Sequence, residues 1–118
     1  MIKSKQVLRF ERKDGVTTAY LSGEIDHHTA GAIRRELDEY LTEHRPSVLR
    51  LDLSDIHFMD SSGLGLLMGR YALMSRLGGA LVVCDPSPSV WRMIRLAGME
   101  RVLRIEQSKK TQEKGREG

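Results

Sequence analysis

The sequence predicts a single α/β domain, a mixed sheet of about five strands with covering helices. Three observations carry that expectation. β-rich and helix-patterned segments alternate in the order β-β-α-β-α-β-α-β. Strand–helix–strand units imply parallel pairing through right-handed crossovers, while an Asp-Gly turn near the start implies one antiparallel hairpin. The length, 118 residues, is close to the commonest size for one domain and can bury a core without staples.

Val7 to Glu11 alternates as a short strand, and Asp14-Gly15 is a strong turn signal. Val16 to Ser22 is β-rich, with Val16, Thr18 and Tyr20 on one face, and Gly23 is expected to break it. "DHHTAGAIRRELDEYLTEH" reads as a helix. Ala30, Ile33, Leu37, Tyr40 and Leu41 form its apolar stripe, with Arg34, Arg35, Asp38 and Glu39 opposite. Pro46 marks the stop. "SVLRLDLS" follows as a strand. "FMDSSGLGLLMGRY" opens a second helix whose stripe is Leu64, Leu67, Tyr71, Met74 and Leu77, ending at Gly78-Gly79. "ALVVCD" is a short continuous apolar run, the mark of a buried strand. Pro88 suits the first turn of a third helix, Pro88 to Ala97, closed by Gly98. "RVLRIE" is the last strand.

The net charge of +3 does not point to nucleic acid. Residues 107–118 hold four of the cations against two acids, which leaves a nearly balanced body, and aromatics are 5%, too few for base-stacking platforms. The end of the chain, from Lys109 to Gly118, has no apolar residue and reads as a disordered basic tail after a domain over residues 1–108. No apolar run approaches the ~20 residues of a membrane helix, and Met1 to Lys5 lack the apolar core of a secretory signal. The one cysteine, Cys84, lies in an apolar run and is expected to be a buried thiol. A cytoplasmic protein fits these features.

The second helix carries three glycines, Gly63, Gly65 and Gly69, each costing a helix interior roughly 0.8–1.0 kcal/mol relative to Ala. Their spacing misses G-x-G-x-x-G by one position, and no Gly-Lys-Ser/Thr follows, so a phosphate loop is excluded. Gly65 and Gly69, four apart, are expected to let helix and sheet approach closely. Asp26, Asp60, His27, His28 and His57 offer partners for Ser61 or Ser62 as a hydrolytic nucleophile, but the G-x-S-x-G elbow is absent. No enzyme activity, metal or cofactor is expected. Asp60-Ser61-Ser62 reads first as a helix cap. The same helix start tolerates anions, so a phosphate on Ser61 would bring about −1.5 to −2 charges there without breaking the fold. A flat surface around Ser61 would favour a protein-interaction module over a ligand domain.

These residues resemble those of the STAS-domain anti-sigma factor antagonists, the sporulation antagonists most of all. "LSGEIDHHTA" resembles the first conserved block, "FMDSSGLGLLMGRY" the phosphorylation-site block, and "GGALVVCDPSPSVWRMI" with "RVLRIEQS" the C-terminal half. The resemblance runs to about Ser108; Trp91 and the basic tail depart from it. It implies a single STAS-like domain that acts as a monomer and binds an anti-sigma factor that is also a serine kinase. The kinase would release its sigma factor on binding the unmodified form, or phosphorylate Ser61 and so turn the antagonist off. A PP2C-type phosphatase would reverse this. The implied contact residues are Asp26, His27, Met59, Asp60, Ser62 and Gly63, with Asp26 near the phosphoacceptor. The alternative on the same scaffold is a small-molecule or nucleotide-binding regulatory domain.

Overall fold

A computed structural model describes residues 7–108; the expected tail, 109–118, lies outside them. Five strands form one sheet in sequence order, β1 (Val7–Lys13), β2 (Val16–Ile25), β3 (Val48–Met59), β4 (Ala80–Cys84) and β5 (Arg104–Glu106). The β1–β2 pair is antiparallel and the other three are parallel. Asp14 and Gly15, both with positive φ (53° and 82°), make the two-residue hairpin turn. Three helices fill the crossovers, α1 (Ala30–His44), α2 (Ser61–Arg76) and α3 (Pro88–Leu96). Among the described residues no helix is long and apolar enough to cross a membrane.

Because the strand order is monotonic, right-handed crossovers put every helix on one face of the sheet. That face carries Ala19 and Leu21 of β2, Leu49, Leu51 and Leu53 of β3, and Leu81 and Val83 of β4. These pack with Ile33, Leu37 and Leu41 of α1, Leu66, Leu67 and Met74 of α2, and Val90 and Ile94 of α3 in one core. The opposite face is largely polar, although Val82 and Cys84 of β4 lie on it and are buried. Arg50 on β3 pairs with Glu106 on β5 at 2.9 Å, and Arg9 lies 4.2 Å from the centre of the Tyr20 ring, whose hydroxyl donates to Glu11.

Several expectations change. Gly23 does not break β2: with φ 103° it sits where the β2–β3 register shifts, and the strand continues to Ile25. The strand before α2 runs on to Met59, so Phe58 and Met59 belong to β3, not to the helix start. Asp26 to Thr29 form a turn, and α1 starts at Ala30. A 3-10 turn at Met99–Arg101 shortens the last strand. The buried stripe of α2 is Gly63, Leu66, Leu67, Arg70 and Met74, a rotation away from Leu64 and Tyr71, which are only partly buried. The hidden Arg70 explains the shift: its Nε lies 3.0 Å from Asp38 Oδ1 on α1, so a charged residue occupies an inward position. The N–H is not aimed at that oxygen, so the contact is an ion pair without a well-formed hydrogen bond.

Candidate functional site

Parallel strands end together, so the turns after β2 and β3 meet at the carboxyl edge of the sheet. Ile25 pairs with Met59, and the Asp60 N–H donates to the Ile25 carbonyl at 3.1 Å. This bond brings the turn bearing Asp26, His27 and His28 beside the start of α2.

Asp60 is the N-cap of α2. Its extended backbone lets Oδ1 accept from the Ser62 N–H at 2.7 Å, while its carbonyl accepts from the Gly63 N–H at 2.9 Å. Ser61 is therefore the first helical residue; it is exposed, and its hydroxyl makes no hydrogen bond among the described residues. Asp26 works in the same manner one turn away. Its Oδ1 accepts from the N–H groups of His28 at 2.9 Å and Thr29 at 3.0 Å. Desolvation opposes ionisation of Asp26, but these bonds outweigh it and hold the carboxyl below the usual range. Thr29 closes the turn, its hydroxyl donating to the Glu24 carbonyl and accepting from the Asp26 N–H, both at 3.0 Å. His27 and His28 are exposed, their ring centres 4.0 Å apart.

Met59 and Gly63 belong beneath this surface rather than on it. Met59 is 6% exposed, against the expectation of a partner contact. Gly63 is buried, and a Cβ there would collide with the Met59 side chain and come 3.3 Å from Ile25 Cγ2. The glycine of close approach is thus Gly63. Gly65 and Gly69, expected in that role, face open space: nothing lies within 4 Å of a Cβ built at either. Gly65, one turn beyond Ser61, is exposed, so the helix flank beside the serine carries no bulk.

A serine nucleophile needs a base hydrogen-bonded to it; among the described residues none is bonded to Ser61. The arrangement offers instead an accessible hydroxyl at a helix N-terminus on a braced frame. Three clefts lie away from it, along α1 at Asp38 to Glu43, against α3 at Pro88 to Leu96, and on the hairpin at Glu11 to Thr18.

Sequence reasoning missed Phe58. It is 50% exposed at the end of β3, and the period-two pattern gave no sign of it. The missing signal is irregular pairing: Asp52 pairs with Tyr20 and Asp55 with Ser22, then Ile56 with Gly23 and Phe58 with Glu24. Each step gives β3 an extra residue, a bulge that re-aims the chain.

The family model for the STAS domain matches residues 8–112. The anti-sigma F factor antagonist of Paenibacillus polymyxa is 39% identical over 98 residues, covering 83% of this chain and 84% of the relative. The fold is that of the anti-sigma factor antagonist SpoIIAA in its unphosphorylated form, with TM-score 0.74 and 23% identity over 95% of this chain and 98% of the other. The Bacillus cell fate determinant SpoIIAA in the phosphorylated form matches with TM-score 0.68 and 22% identity, over 92% and 98%.

Proposed function

The chain belongs to the STAS domain family, among the anti-sigma factor antagonists, and from that premise we propose that it is a phosphorylation-switched antagonist. Unmodified, it binds an anti-sigma factor that is also a serine kinase and causes release of the sigma factor. Phosphorylation of Ser61 by that kinase ends the interaction, and a PP2C-type phosphatase restores it. The protein acts in the cytoplasm as a monomer, and its part is regulatory.

The observation that carries this reading is the exposed Ser61 at the first position of α2, between the capping Asp60 and a side-chain-free Gly65. A kinase cleft can reach the hydroxyl without moving the helix. On this reading Asp26, His27, Asp60 and Ser62 form the contact surface, and the buried Met59 and Gly63 support it from below. The dianion formed is favoured at a helix N-terminus by about 0.3–1 kcal/mol when exposed, so modification leaves the fold in place. The likeness to SpoIIAA, whose fold is known in a phosphorylated form, supports the same view.

Incubation with the cognate anti-sigma factor and ATP, followed by phosphopeptide mapping, tests the assignment. Phosphate is expected on Ser61 alone. Phosphate on Ser62, or none, would sink it.

A further inference from the structure

Regular alternation from Ile56 would place Phe58 in the core and Met59 outside. The second bulge of β3 reverses this: Ile56 and Met59 are buried at 1% and 6%, and the phenyl ring is half exposed. Its Cα is within about 11 Å of that of Ser61, three residues on. The two chain segments that meet at this edge of the sheet carry charge of one sign. Residues 22–33 and 51–69 contain Glu24, Asp26, Asp52, Asp55 and Asp60 and no Lys or Arg, in a chain of net charge +3. Asp26, Asp52 and Asp60 spend their carboxylates on nearby N–H groups. Glu24, the register partner of Phe58, and Asp55 are exposed and unpaired among the described residues.

We propose that Phe58 is the apolar anchor on which the anti-sigma factor docks, and that the socket receiving it is rimmed by Lys and Arg that face Glu24 and Asp55. This rests on the proposed function and names the chemistry of its partner surface. Anchors that carry binding energy are aromatic side chains filling a desolvated pocket, and a ring of charge around one sets orientation and encounter rate. The basic rim is compatible with release on phosphorylation. It faces Glu24 and Asp55, whereas a kinase that transfers a γ-phosphoryl group to Ser61 is left with an anionic nucleoside diphosphate on the side of the serine.

The test measures affinity for the purified cognate anti-sigma factor by calorimetry at low and high salt. Wild-type protein is compared with Phe58→Ala, Phe58→Tyr and the double variant Glu24→Arg/Asp55→Arg. Phe58→Ala is expected to weaken binding by at least about tenfold with the circular dichroism of the folded protein retained, and Phe58→Tyr to restore it. The double variant is expected to bind more weakly and to lose the salt dependence of wild type. Phe58→Ala within about twofold of wild type overturns the anchor, and an unaltered salt dependence in the double variant overturns the basic rim. Wild-type protein that does not bind at all overturns the proposed function as well, so the two failures are told apart.

Discussion

Ser61 is set apart from Ser62 by exposure, since Ser61 is exposed and Ser62 is partly buried. The Ser62 N–H is held by Asp60, and the Ser61 side chain is left in solvent. The cap was legible in the sequence because Asp and Ser before an apolar run signal a helix start. The burial of Met59 was not legible, since a bulge inverts the period on which such readings rest. The glycines divide by what surrounds them. Gly63→Ala is expected to destabilise by about 1–3 kcal/mol through overpacking against Met59. Gly65→Ala and Gly69→Ala each gain up to ~1 kcal/mol, because a methyl there meets nothing. Urea denaturation of the three variants checks both signs. Asp26 makes stability pH-dependent in a defined sense. Its folded pKa is lowered, so its contribution is fully present above the unfolded value and lost as pH falls through the folded one. Asp26→Asn is expected to flatten that acid limb, as read by melting temperature against pH.

The helices and strands were legible in number and order because each apolar stripe follows its period over enough residues. The phase of α2 was not. Arg70 reads as a surface residue, and only the approach of α1 supplies Asp38 to receive it. The pair is expected to behave as buried ion pairs do. Asp38→Ala strands a cation whose side chain is 8% exposed, and the expected loss is about 1–3 kcal/mol. Arg70→Met, which replaces the charge with a flexible apolar chain, should cost much less. Denaturant midpoints of the two variants decide this; equal losses would show that the ion pair is itself net stabilising, and not merely costly to break from one side.

At the scale of the whole molecule, a sheet with its helices on one side brings the turns after β2 and β3 to a common edge. That topology followed from the sequence order, but the polar opposite face and the clustering of carboxylates at the edge needed the strand register. Cys84, on β4, is sealed within the fold, and burial pushes its thiol up to about 11. It is expected to resist alkylation at neutral pH until the protein is unfolded, as mass spectrometry of labelled native and denatured samples would show. The central claim is that a phosphate on Ser61 changes the surface and not the fold. A buried unpaired charge in the docked complex costs about 2–5 kcal/mol. That is a loss of affinity of roughly thirty-fold to several thousand-fold. The most direct measurement compares enzymatically phosphorylated and unmodified protein for affinity to the anti-sigma factor, with circular dichroism on the same samples. The account predicts a loss in that range with the helix signal unchanged. Equal affinity of the two forms, or a large fall in helix signal on phosphorylation, would contradict it.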